Sequence, residues 1–364
     1  MALTLTFLGK GGTGRTILAI AAAKQLAASG QRVLFVEQDN SPACHLLLET
    51  EVGCDPTPIT TNLKAVQLKS AVLLERSWEE IKKLESQYVR TPFFRNVYGQ
   101  ELGVLPGMDS ALALNAIREY DGSGDYDVII YDGLASQDTL RMLGMPEILS
   151  WYLRRFRNVF MESDLGKTLS PFVQPIASSI LNIDISGDTF AQPTQEMNNI
   201  LDQGKAAVSD PNRVAAYLVT TQDEVAIATA RYLWGSAQQV GLTVGGVLLN
   251  QSLLTGSITE AFDPLVVSLI PQSHSPNWQP IIDALPDFTQ AQRAPKPINI
   301  DVNERKVSLF LPSFDKKQVK LTQYGPEVTI EAGDQRRNIF LPPALTGKPV
   351  TGAKFQNGYL TISF

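Results

Sequence analysis

Eight consecutive residues hold most of the reactive chemistry in this chain: Gly9-Lys10-Gly11-Gly12-Thr13-Gly14-Arg15-Thr16. Closely spaced glycines let successive backbone N–H groups turn inward on an anion without Cβ clashes. Two cations and hydroxyls stand among them, a set suited to a polyphosphate and its metal ion. The run matches G-x-x-x-x-G-K-[ST] except that Arg15 replaces the lysine. Thr16 falls where a hydroxyl ligands Mg²⁺ in such loops. Arginine keeps the charge but is a wider planar fork than an ammonium. Nucleotide binding is therefore expected to survive, and the rate of hydrolysis is the open quantity. Two carboxylates accompany the loop. Asp39 follows the apolar run Val33 to Val36, and Asp132 closes Val128-Ile129-Ile130-Tyr131. An acid at the carboxyl end of a strand beside a phosphate loop sits at the mouth of an open α/β sheet, where ligands bind, and an apolar strand ending in aspartate is where a carboxylate holds Mg²⁺. The plainer alternatives are a glycine-rich turn that binds nothing, an aspartate that starts the helix after Pro42, and a buried strand followed by an N-capped helix.

These residues need an open α/β frame to position them. Leu3, Leu5, Phe7 and Leu8 read as a strand leading into the loop, and Ile17, Leu18, Ile20, Ala21 and Leu26 as the helix leaving it. Such a helix presents its positive dipole end and unpaired N–H groups to phosphates. It is expected to end near Ser29, with Gly30 as the stop. Val33 to Val36 reads as a buried parallel strand. Residues from about Thr61 to Arg95 read as mostly helical, with Val72, Leu73, Trp78, Ile81 and Leu84 at helical spacing. Leu105-Pro106-Gly107-Met108-Asp109 then leads into another helix.

Lys10 adds a second signal, since a lysine directly after the first glycine is not needed to hold the chain's own nucleotide. Lys10-Gly11-Gly12-Thr13-Gly14-Arg15-Thr16 resembles the deviant P-loop motif K-G-G-x-G-K-[ST], shared by MinD, ParA, nitrogenase iron protein and the arsenite-pump ATPase ArsA. The resemblance implies that Lys10 reaches across a homodimer interface to the partner's nucleotide, that Asp39 lies in switch I and positions water, and that Asp132 is the Walker B acid. The run Gln137-Asp138-Thr139-Leu140-Arg141-Met142-Leu143-Gly144-Met145-Pro146 is similar to switch II of the ArsA branch and of its eukaryotic relative, the tail-anchored-protein targeting ATPase. The preceding turn, Gly133-Leu134-Ala135-Ser136, departs from the family's T-A-P-T.

After switch II the resemblance implies a helical insert, about residues 149–205. Leu149, Leu153, Phe156 and Phe160 fall on one helical face, and Leu169, Phe172, Val173, Ile176 and Ile180 on another. In the targeting ATPase this segment holds hydrophobic clients; a pair of core-packing helices is the alternative. Val214 to Thr221 and Thr243 to Asn250 read as strands around an alanine-rich helix from Val225 to Val240. By resemblance, Asn250 pairs with the adenine edge, for which an amide has the right donor and acceptor, and Pro271 lies near the base. A turn asparagine is the alternative.

Arg293 to Pro297 has linker composition. Beyond it the apolar period becomes two, at Val307, Leu309 and Leu311, at Val328 and Ile330, and at Leu360, Ile362 and Phe364, with Asn357-Gly358 as a hairpin turn. The motifs Phe340-Leu341-Pro342 and Asn357-Gly358-Tyr359-Leu360-Thr361-Ile362 resemble the α-crystallin domain of small heat-shock proteins. Such a domain on an ArsA-like ATPase resembles the cyanobacterial and plastid branch of that family. An internal brace is the alternative role.

At 364 residues and 44% hydrophobic content, with net charge −6, the chain reads as globular and is not expected to bind nucleic acid. No apolar run suggests stable membrane insertion. The start shows no basic n-region or cleavage pattern, so no signal peptide is expected. With only Cys44 and Cys54, a reducing cytoplasmic location is expected. No thiolate cluster for arsenite, no C-x-x-C zinc site and no iron–sulfur ligand set is apparent. His45 and His274 lie too far apart in sequence to point to a histidine-centred site.

The expected architecture is an α/β P-loop ATPase unit over residues 1–293, with a mostly parallel sheet and a helical insert. A linker over 294–297 and an antiparallel β-sandwich over 298–364 follow. The expected activity is ATP hydrolysis to ADP and phosphate by a Mg²⁺-dependent homodimer that handles hydrophobic clients. The alternatives are a nucleotide-gated scaffold with little turnover because of Arg15, a subunit of an arsenite or other anion pump, and a MinD/ParA-type positioning ATPase. The last would want an amphipathic membrane tail or a basic DNA patch.

Overall fold

The buried apolar runs assemble in one sheet. The computed structural model describes residues 1–39, 41–77, 107–162, 191–272, 277–333 and 335–364, with side chains left out at 154–162 and 191–197. Strands β1 (Leu3–Gly9), β2 (Val33–Glu37), β3 (Thr57–Thr60), β4 (Leu63–Gln67), β5 (Val128–Asp132), β6 (Val214–Thr220), β7 (Thr243–Asn250) and β8 (Val267–Ile270) pair in the order β3-β4-β2-β5-β1-β6-β7-β8. All pairings are parallel except that of β3 with β4. Strands buried on both faces read as continuous apolar runs, which explains β2, β5 and β6.

Helices cover the two faces: α1 (Arg15–Ala28), α2 (Ala43–Leu48), α3 (residues 70–77), α4 (Met108–Ser123), α5 (Ser136–Glu162), α6 (Ala191–Ser209), α7 (Glu224–Gln239), α8 (Gly256–Ala261) and α9 (Gln279–Ala284). One face packs Leu18, Ala22, Phe35 and Ile130 with Phe288; the other packs Leu140, Leu233, Trp234 and Val247. Gly30, at φ 93°, ends α1 as its sequence signals. The helical reading from Thr61 is corrected here. Leu63–Gln67 is a strand beside β2, because Leu63, Ala65 and Val66 are needed in the sheet's interior. The helical reading of 78–95 and the second apolar face at 169–180 lie outside the described residues.

The C-terminal strands β9 (Ile298–Asp301), β10 (Lys306–Phe310), β11 (Val319–Tyr324), β12 (Glu327–Ala332), β13 (Gln335–Phe340), β14 (Gly352–Gln356) and β15 (Tyr359–Ser363) form two antiparallel sheets, β14-β15-β10-β9 and β11-β12-β13. Val307, Leu309, Leu311, Val328, Ile330, Leu341 and Ile362 fill the space between them. Asn357 and Gly358 both take positive φ, 52° and 73°, as a two-residue type I′ hairpin requires.

This sandwich sits against α7 and α5. Trp234 meets Phe310 edge-on at 5.5 Å between ring centroids, and Tyr232 meets Phe314 at 5.9 Å. Trp151 Nε1 donates to Glu327 Oε2 at 2.9 Å, while the Arg336 guanidinium lies 5.2 Å from the Trp151 ring. Gln335 Nε2 donates to Gln137 Oε1 at 3.4 Å. Among the described residues no helix is long and apolar enough to cross a membrane.

Candidate functional site

The glycine-rich loop lies at the carboxyl end of β1, where the strand order diverges to β5 on one side and β6 on the other. That is the crevice in which open α/β sheets take ligands. Close packing fixes the loop. A Cβ on Gly9 would strike the Val219 carbonyl of β6. Gly9 N donates to Ser136 Oγ at 2.9 Å, and Ser136 Oγ lies 2.9 Å from Gly9 O. The loop folds back on itself as Thr13 Oγ1 donates to Lys10 O at 2.8 Å. Gly12 and Gly14 take φ of 85° and 95°, open to glycine at little cost. Among the described residues the N–H groups of Gly11, Gly12, Gly14, Arg15 and Thr16 carry no hydrogen bond. They form a row of donors at the start of α1, a cradle for phosphate.

The expected side chains gather around that cradle in different states. Lys10 is exposed and makes no side-chain hydrogen bond or ion pair among the described residues. Arg15 turns away from the loop: Nη1 donates to Gly133 O at 3.4 Å and Nη2 to Leu134 O at 3.2 Å, both in the turn after β5. Thr16 stands near enough to the Asp132 carboxylate for its hydroxyl to lower that group's pKa. Asp39 is exposed, and its carboxylate accepts from Ser41 N at 2.9 Å and Ser41 Oγ at 3.0 Å, the local turn that its alternative reading describes. Asn250 is buried, and its Nδ2 donates to Thr13 O at 2.8 Å, against the face where a Cβ on Gly14 would stand. In this structure the amide braces the loop. Pro271 directly follows Ile270, the β8 partner of Asn250, so the two residues share one end of the sheet.

Asp132 is the acid best placed to hold a cation. It is 4% exposed, and its Oδ1 has no hydrogen-bond partner. Burial raises its pKa, opposed by the Thr16 hydroxyl and by the charge of Arg15. Glu37, aligned with Asp132 in the parallel register, is 1% exposed and leaves Oε2 unpartnered. Burial pushes the Glu37 carboxyl up to about 7, opposed by the Cys44 thiol and reinforced by Asp132 and Asp39. Two buried carboxylates with free oxygens beside a hydroxyl and a row of N–H donors fit a hard divalent cation carried on a polyphosphate.

Three contributors went unassigned in the sequence. Glu37 was visible as an acid ending a strand, but Asp39 absorbed that signal. Ser136 is a hydroxyl at a helix start, and nothing local shows that it reaches Gly9. Gln38 is held by the Tyr131 hydroxyl and donates to Asp109 O at 3.3 Å, tying the first switch segment to α4.

Comparison with known proteins finds matches over both parts of the chain. Residues 3–264 match the family described as anion-transporting ATPase (ArsA), and residues 303–364 match the HSP20-like domain found in ArsA. A Chlorobaculum tepidum protein with the provisional name arsenical pump-driving ATPase is 26% identical over 390 residues, covering 99% of this chain and 95% of its own. A Prosthecochloris vibrioformis protein of the same provisional name is also 26% identical, with the same coverage. The ATPase GET3 of Malassezia globosa is 23% identical over 248 residues, or 67% of this chain and 71% of that protein.

Proposed function

The chain belongs to the anion-transporting (ArsA) ATPase family, and from that membership we propose that it is a homodimeric, ATP-driven switch that binds and releases hydrophobic protein segments. One observation carries the nucleotide part of this reading. Among the described residues the unbonded N–H groups of Gly11, Gly12, Gly14, Arg15 and Thr16 stand beside Asp132, whose buried Oδ1 is unspent. Thr16 and Asp132 are the residues that would hold Mg²⁺, which supplies charge neutralisation for the phosphates when bound.

The remaining chemistry falls to the chain itself. The loop N–H groups bind the phosphates and fix the terminal one for in-line attack. Asp39 exchanges its Ser41 contacts for a water and orients it. Lys10, free in this structure, reaches the partner subunit's nucleotide and stabilises the charge that develops there. Asn250 and Pro271 border the base. Hydrolysis resets a closed dimer to an open one. Support for an apolar client comes from Ile148, Leu149 and Tyr152 on α5, which are 37%, 43% and 51% exposed at the base of the insert. The cytoplasm is the proposed location.

Steady-state ATPase rate measured with solution mass, with and without nucleotide, tests the reading. Turnover above background and a nucleotide-sensitive dimer are expected. A chain that retains no adenine nucleotide with millimolar magnesium would sink it.

A second reading is favoured by one contact. Arg15 spends two donors on the carbonyls of Gly133 and Leu134, so nucleotide must win the guanidinium from switch II. A nucleotide-gated scaffold with little turnover follows if ATP binds, phosphate release stays at background and Arg15→Lys restores it.

A further inference from the structure

At the amino end of the large sheet, opposite the glycine-rich loop, a cavity of about 580 Å³ opens between the ATPase unit and the sandwich. Its walls come from the segment before β6 (Asp210, Asn212), the turn before β7 (Gly241), the approach to the sandwich (Arg293, Lys296) and β13 (Arg337). We propose that this cavity binds a small multivalent anion, of the phosphate or polyphosphate class.

The argument rests on charge balance in a confined space. Arg293 and Lys296 from one stretch of chain and Arg337 from another converge on one cavity. Asp210 is its one acidic wall residue, and Asp210 Oδ1 is already taken by Asn212 N at 2.9 Å and Asn212 Nδ2 at 3.0 Å. Arg293 and Lys296 are exposed and make no side-chain hydrogen bond or ion pair among the described residues, although Asp287 lies near enough for the charge of Arg293 to lower its pKa.

Arg337 is half-buried. Its Nη1 donates to Gln238 O at 3.0 Å, near the carbonyl end of α7, and it has no carboxylate ion pair among the described residues. Burial pulls its pKa down to about 10, opposed by the charge of Glu147, which lines an adjoining pocket with Arg337. Removing a guanidinium from water without a paired anion is costly. The turn opposite keeps the space open. Gly241 has φ 83°, and a Cβ there would stand 3.3 Å from both Arg337 Nη2 and Ser209 Oγ. The helix-end carbonyl uses one Arg337 donor and neutralises neither Arg293 nor Lys296. The volume is in the range of small-molecule sites, and phosphate groups suit both the arginine forks and the lysine.

The test uses the full chain with its glycine-rich loop saturated by MgADP. Inorganic pyrophosphate is titrated in, followed by calorimetry and by thermal unfolding, with sodium chloride matched for ionic strength. One pyrophosphate per chain and a rise in Tm of a few degrees are expected. The double variant Arg293→Glu/Lys296→Glu spares the contact of Arg337 with Gln238. It is expected to weaken pyrophosphate at least tenfold while leaving ADP affinity and turnover at wild-type values. Lys10→Ala is expected to leave pyrophosphate binding unchanged. The proposal is overturned if pyrophosphate fails to bind the MgADP-loaded chain, or if it binds the double variant as tightly as wild type. In either case Arg337 serves only to cap α7.

Discussion

The two ends of the large sheet carry opposite chemistry. At the carboxyl end Glu37, Asp39 and Asp132 meet a loop rich in N–H donors; at the amino end Arg293, Lys296 and Arg337 line a cavity whose one acid is Asp210, hydrogen-bonded by Asn212. Acids beside a phosphate cradle suit a cation that accompanies the anion, which is why a metal–nucleotide pair is proposed for that end. Bases without paired acids can take an anion directly. On the two proposals, the same parallel frame would separate two anion chemistries by which side chains it leaves unpaired at each end.

Four substitutions test that separation. Lys10→Ala should give the largest effect, a fall in steady-state turnover on the order of a hundredfold, typical of losing a preorganised charge in a transition state. Nucleotide affinity measured by calorimetry should stay within about twofold; loss of binding would place Lys10 in its own subunit's site.

Gly235→Ala acts at the other end. Its Cβ would stand 2.5 Å from both the Pro312 carbonyl oxygen and Phe314 Cε2, so α7 and the sandwich must part. Overpacking of this kind costs about 1–3 kcal/mol, read as a lower midpoint in chemical denaturation. ADP affinity should be unchanged while stabilisation by pyrophosphate is lost.

Arg15→Lys should raise turnover by about tenfold, the equivalent of ~1.4 kcal/mol in the barrier. It releases the Gly133 and Leu134 carbonyls while keeping a cation at the loop. An unchanged rate would mean that the guanidinium does not limit hydrolysis.

The smallest effect is expected away from both ends. Asp127 pairs with Arg32 at 2.7 Å, and the hydrogen bonds from Arg32 hold its pKa at about 2. Its folded pKa is depressed, so the pairing stabilises above the ordinary carboxylate value near 4 and fades as pH falls through about 2. Both side chains are well exposed, and solvent screening keeps the gain small. Asp127→Asn should lower Tm slightly at pH 7 and leave it unchanged below pH 2.

Legibility followed the range of the contacts. The loop, the strand ending in Asp132 and the Asn357-Gly358 hairpin are local patterns, and the structure reproduces those local structures. Strand β4 was read as helix because Leu63 to Gln67 is short and stands directly before residues at helical spacing; only its pairing with β2 decides the matter. The clasp of Ser136 on Gly9 and the bond from Asn250 to Thr13 O join residues more than a hundred positions apart. Sequence places Asn250 at a strand end beside the crevice, but which partner its amide takes depends on packing.

Helix α5 joins the two ends mechanically. Its first residue, Ser136, grips the loop at Gly9, and Trp151, fifteen residues along, rests on the sandwich through Glu327 and Arg336. At 1.5 Å of rise per residue that span is roughly 22 Å, so a tilt of about 5° at the near end becomes about 2 Å at the far one. Pro146 interrupts the rod's hydrogen-bond ladder between those points and packs where a Cβ on Gly204 would lie 3.0 Å away. The helix is thus a beam with a fulcrum, and the sandwich is the load it carries.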